Sequence, residues 1–148
     1  MMIDKSSKKI LNVLINNSKK SYRELAKEAH VSVGTVSNKL KELEKEKIIK
    51  KYTTLVDYDK LGYDIHVFIK IRVSHGKEFS VEKKLLNDFH VSAIYDITGD
   101  FDVLVIARFR NRKELDAYLK KIQKFEFVNR VQTNLILNTI AEEPIEIE

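Results

Sequence analysis

The chain contains no cysteine. A disulfide framework, a thiolate metal site and a cysteine nucleophile are therefore excluded. Long apolar runs are also missing. The longest, Val103 to Ala107, is far short of the roughly 20 residues that span a bilayer. Proline and glycine are scarce, at one and four, and no glycine-rich loop of the kind that cradles phosphate is present. Met1-Met2-Ile3-Asp4-Lys5 has no apolar signal core, so the expectation is a cytoplasmic protein with no membrane partner. His30, His66, His75 and His90 show no metal-ligand spacing. With no nucleophile motif either, the expectation is no catalytic residue, no metal and no cofactor.

What the chain does have is charge, placed unevenly. Lys and Arg total 27 against 22 Asp and Glu in 148 residues, a net +5. Residues 1–60 hold 14 basic and 8 acidic side chains, and residues 61–148 hold 13 and 14. The whole basic excess sits in the first 60 residues. That segregation points to two modules, one of which meets a polyanion. A lysine-rich surface with no partner would give the same count, so charge alone leaves both readings open.

The first module reads as three helices. Asp4 can cap a helix to about Asn16, with Ile10, Leu11, Leu14 and Ile15 at helical spacing. Ser21-Tyr22-Arg23-Glu24 is a capping box opening a short helix to Ala29. Ser32 caps a third helix, about Val33 to Glu46, with Val36, Leu40 and Leu43 inward. A short helix, a tight turn and a longer helix is the layout of a helix-turn-helix, whose second helix enters the major groove of DNA. Gly34, Thr35, Ser37, Asn38, Lys39 and Lys41 then lie on or beside the outward face. Short polar and cationic groups suit base edges and phosphates, and no acid precedes Glu42 on this helix. The helix N-termini capped by Ser21 and Ser32 could each hold a phosphate. A plain three-helix bundle with a solvated face remains the alternative.

The second module alternates strands and helices. Ile65, Val67, Ile69, Ile71 and Val73 alternate with His66, Phe68, Lys70 and Arg72, as in a half-buried strand. A helix is expected over about Lys77 to Phe89, burying Phe79, Leu85, Leu86 and Phe89. Strands follow at about Val91 to Thr98 and Phe101 to Phe109, joined at Gly99-Asp100. Asn111 caps a second helix to about Lys124, and a last strand covers about Arg130 to Ile140. This order is the split βαβ, ferredoxin-like arrangement. Its helices cover one sheet face. The other, with Phe68, needs cover, and a second copy of the chain supplies it most simply, so a homodimer is expected.

Three stretches resemble the Lrp/AsnC, or feast/famine, family of transcriptional regulators. They are Asp4 to Ile15; the run Val31-Ser32-Val33-Gly34-Thr35-Val36-Ser37-Asn38-Lys39-Leu40-Lys41-Glu42-Leu43-Glu44 with Ile48-Ile49; and Thr98-Gly99-Asp100-Phe101-Asp102. The resemblance spans nearly the whole chain, and Lys60-Leu61-Gly62 fits it too. It implies an α+β protein: a winged-helix-like helix-turn-helix at 1–50, an extended linker at 51–63 and a ferredoxin-like dimerisation and effector domain at 64–148. Family members are dimers, often assembled into octamers, that bind double-stranded DNA, and many respond to an amino acid bound between dimers. By resemblance, Ser32, Thr35, Asn38 and Lys39 would contact DNA. Gly99, Asp100, Asp102, Thr133 and Asn134 would contact the effector.

Two positions depart from the family pattern. Lys47 stands where relatives end the recognition helix with Gly, and Lys39 where they usually have Arg. Lysine lacks arginine's bidentate fork, so Lys39 reads as a phosphate contact first and a base reader second. At the Gly99 turn, Asp100 and Asp102 could hold an ammonium group, or the turn could be a plain hairpin with Asp102 capping a strand end. One alternative from another class remains: an amino-acid-sensing module acting on a protein partner without DNA.

Overall fold

The computed structural model describes residues 3–148. Two compact units form. One holds the residues up to Leu55 together with Ala141–Glu148, and the other holds Val56–Ile140.

The first unit contains α1 (Lys5–Asn16), α2 (Tyr22–Ala29) and α3 (Val33–Lys45). Each starts on the cap its sequence offers. Asp4 accepts from the Ser7 amide at 2.9 Å. Ser21 and Glu24 form the reciprocal capping box. Ser32 accepts from the Thr35 amide at 3.0 Å. Ile10, Leu14, Leu25, Ala26, Ala29, Val36 and Leu40 interlock as one apolar cluster, which fixes α3 across the other two helices and leaves its opposite side open.

The end of α3 resolves the glycine question. Lys47 adopts a left-handed conformation, φ 56°. The Ile48 amide donates to the Leu43 carbonyl at 2.9 Å and the Lys47 amide to the Glu44 carbonyl at 3.0 Å. These two bonds are the Schellman pattern, formed here with lysine where glycine is free of Cβ strain.

The second unit runs β1 (Ile65–Val73), α4 (Glu78–Leu85), β2 (Val91–Asp96), β3 (Val103–Phe109), α5 (Arg112–Gln123) and β4 (Val128–Leu135). A single 3-10 turn at Asp59–Leu61 precedes them. The sheet order is β2-β3-β1-β4, every pair antiparallel. Val67, Ile69, Ile71 and Val73 pack with Val103, Val105, Ala107 and Phe109 against Val81, Leu85, Tyr118 and Ile122 of the two helices. The opposite face carries Phe68, Leu104 and Ile106, half-buried in one chain, and the more exposed Tyr95.

Two expectations need correction here. Helix α4 stops at Leu85, and Phe79, Leu86 and Phe89 are exposed, at 74%, 66% and 85%. The segment offers two apolar stripes, 79/86 and 81/85, and the sheet takes Val81 with Leu85. The last strand also ends at Leu135 rather than near Ile140, with one further bond from the Ile136 amide to the His66 carbonyl at 2.8 Å.

Candidate nucleic-acid interface and effector loop

Helix α3 presents one continuous open stripe. Gly34, Ser37, Asn38 and Lys41 recur at i, i+3, i+4 and i+7, the spacing that puts residues on one helix face. Gly34, Asn38 and Lys41 are exposed and Ser37 is half-buried. A Cβ added at Gly34 would meet little but the Ser32 hydroxyl, 3.8 Å away. The small residue therefore leaves room outside the protein rather than inside it. Val33, 44% exposed at the first turn, belongs to this surface too. Its apolar type hid it from a search for polar contacts, although an apolar side chain suits a thymine methyl.

The capping hydroxyls are already engaged. Ser32 Oγ lies 2.8 Å from Thr35 Oγ1, and Ser21 Oγ donates to Glu24 at 2.7 Å. What these helix ends offer an anion is their remaining amides and the local dipole.

Lys39 sits beside the stripe and is not free. Its ammonium group is gripped by Asp4 and lies 3.0 Å from Glu42. The bond from Lys39, with the Ser7 amide next, pulls the Asp4 carboxyl down to about 2. Lys39 is itself raised, chiefly by Asp4 and then by Glu42. Lys41, two positions on, has no ion-pair partner among the described residues.

At the other candidate site, Gly99 takes φ 109°, a conformation that side chains with a Cβ rarely adopt. Asp100 is exposed. Asp102 is built into the sheet end. Its carboxylate accepts from the Val73 amide at 2.7 Å, its own amide donates to the Ile71 carbonyl at 3.0 Å, and its carbonyl accepts from Ile97 at 2.9 Å. Between these strands the buried Phe101 ring carries Lys70 Nζ at 5.0 Å and the Arg130 guanidinium at 5.5 Å.

Thr133 pairs with Ile69 and Asn134 with Phe68. Successive strand residues face opposite ways, so Thr133 lies on the helix-covered side and Asn134 on the open side. Asp102 flanks β1 on the β3 side and Asn134 on the β4 side. With Val103 opposite Ile71 and Asn134 opposite Phe68, they are displaced by about 13 Å along the strand. One chain therefore brings Gly99, Asp100 and Asp102 together but not Thr133 and Asn134 with them.

Known proteins agree with both halves. A model described as the Lrp/AsnC ligand binding domain matches residues 66–145, and one for winged helix-turn-helix DNA binding matches residues 3–50. An uncharacterized HTH-type transcriptional regulator of Pyrococcus furiosus is 37% identical over 143 residues, 97% of each chain. The solved structure of AsnC from E. coli superposes with a TM-score of 0.89 at 27% identity, covering 99% of this chain and all of that one. A transcriptional regulator of Neisseria meningitidis in complex with L-Met shares the fold, at a TM-score of 0.86 and 21% identity, covering 99% and 97%.

Proposed function

The chain belongs to the Lrp/AsnC family of DNA-binding transcriptional regulators, and from that premise we propose that it reads duplex DNA with the Gly34–Ser37–Asn38–Lys41 face of α3 and does so as a homodimer. The organisation is a recognition unit at 1–50, a linker at 51–63 and a sheet module from 64 to about 140; the expected end of that module at 148 is corrected, because 141–148 pack with the recognition unit. The observation that carries this reading is the open α3 stripe: cationic, small and amide-bearing groups on one face, with no acid before Glu42. Asn38 suits the bidentate edge of adenine, and Lys41 a phosphate. Ser21, Ser32 and Thr35 hold the helix ends against the backbone. Lys39 acts as a positioning residue, because its charge is already met by Asp4 and Glu42.

The open sheet face with Phe68, Leu104 and Ile106 supports pairing with a second copy. Two recognition helices then enter major grooves about 34 Å apart or a multiple of that. Assembly of such dimers into an octamer would bring the Gly99 turn of one copy near Asn134 of another. Gly99, Asp100, Asp102, Thr133 and Asn134 from different copies would then enclose a free amino acid. The ligand-binding description of the matched domain and the L-Met complex of the Neisseria regulator support that class of effector. The site of action is the cytoplasm, where duplex DNA is met.

The test is salt-dependent binding to duplexes from genomic DNA around the protein's own gene. Each phosphate contact contributes about −0.9 to the slope of log affinity against log salt. Lys41→Ala should reduce the slope by about one contact, and Asn38→Ala should relax sequence preference by about 1–3 kcal/mol at one base pair. Asp4→Asn keeps a cap but releases Lys39, and should add about one contact to the slope. Unchanged slopes in both charge variants would remove α3 from the interface.

A further inference from the structure

Residues 141–148 carry four glutamates, Glu142, Glu143, Glu146 and Glu148, and no base. They pack with the DNA-binding unit, not with the sheet module that precedes them. The Asn12 side chain in α1 makes the attachment. Its Nδ2 donates to the Ile147 carbonyl at 2.9 Å, and its Oδ1 accepts from the Ile147 amide at 2.9 Å. This pair satisfies both main-chain groups of one residue, as a neighbouring strand would. Beside it lies a groove of about 590 Å³, with Leu11, Leu14, Ile49 and Tyr52 on one wall and Pro144 and Ile147 on the other. The four carboxylates form no ion pair among the described residues. The segment is therefore held by Asn12 and apolar contact, and its charge is left free to act at a distance.

That charge falls on a strongly basic body. Residues 1–55 hold thirteen Lys and Arg against six Asp and Glu, a net +7, and the four glutamates reduce it to +3. Lys50 and Lys51 line the same groove as Glu142 and Glu143. Non-specific attraction to duplex is almost wholly electrostatic, and charges within a Debye length of one another act together.

We propose that the segment 141–148 is an acidic arm docked on the recognition unit by the Asn12–Ile147 pair, where its glutamates restrain the unit's sequence-independent attraction to duplex DNA. The inference rests on the DNA-binding reading above and adds a regulator to it. Base contacts on α3 are untouched, so the arm weakens the attraction common to all duplexes without removing sequence readout.

The experiment compares the full chain with a variant carrying Glu142→Gln, Glu143→Gln, Glu146→Gln and Glu148→Gln, and separately with Asn12→Ala. The probe is a fluorescent duplex of random sequence, titrated at several salt concentrations. The four-Gln variant should bind about tenfold more tightly at 50 mM salt and converge on the parent by about 0.3 M. Hydrogen exchange should find the Ile147 amide protected in the parent and in the four-Gln variant but not in Asn12→Ala. Alanine is the best helix former, so that variant keeps α1. Equal binding by the parent and the four-Gln variant at every salt, or an unprotected Ile147 amide in the parent, overturns the proposal and leaves DNA binding standing. A parent chain that binds no duplex at low salt overturns both.

Discussion

At the scale of the residue, Lys47 is the clearest case of a local rule met by the wrong side chain. Its hydrogen bonds are those of a helix stop that glycine normally supplies, and the helix keeps the stop because the chain must turn to bring Ile49 back against the core. Lys47→Gly should therefore stabilise the protein by about 0.5–1 kcal/mol through relief of the left-handed strain, less the added freedom of the unfolded chain. Urea unfolding checks it: the midpoint should rise with an unchanged slope. A lower midpoint would mean that the lysine side chain does more than occupy the position. Lys39 shows the converse. Its identity suggests a phosphate contact, and in the DNA-free chain its ammonium group pairs with a carboxylate 35 positions earlier.

At the scale of the element, α4 and the end of β2 share an acid pair. Glu82 is pushed up to about 7, first by its hydrogen bond with the Asp96 carboxyl, then by burial and by the charges of Asp96 and Glu78. One of its oxygens, Oε1, is buried with no hydrogen-bond partner among the described residues. The folded protein thus keeps a proton between about pH 4.5 and 7 that the unfolded chain gives up. Where the native state binds more protons, stability falls as pH rises. This contribution is complete below pH 4.5 and lost as pH passes through 7. Glutamine mimics the protonated acid, so Glu82→Gln should flatten the decline of melting temperature between those limits. Parallel curves for variant and parent would show that the pair carries no linkage.

At the scale of the whole molecule, the sheet has one face under helices and one open. Ile106 pairs with Phe68 at the centre of the open face, away from α4 and α5. Ile106→Lys should leave the fold intact and reduce the proposed homodimer to a single chain, as read by light scattering at micromolar concentration. Affinity for a duplex with two half-sites should fall to that for one. A variant that still scatters as two or more chains would move the interface elsewhere. Burying a large apolar patch is the driving force for such pairing, and a central lysine would have to be desolvated to permit it.

The sequence by itself determined what depends on neighbours a few positions apart. The Asp4, Ser21, Ser32 and Asn111 caps, the order of strands and helices and the outward stripe of α3 all follow from hydrogen bonds and periodicities spanning about four residues, and the two modules from the uneven placing of charge along the chain. The tertiary structure alone decided which apolar stripe of α4 met the sheet, which carboxylates took Lys39, how far Thr133 and Asn134 stand from the Gly99 turn, and where residues 141–148 came to rest. Asn12 and Ile147 are 135 positions apart, and nothing in either local pattern selects the other. Such partners are fixed by which surfaces pack first and most completely, and short-range spacing carries no record of that.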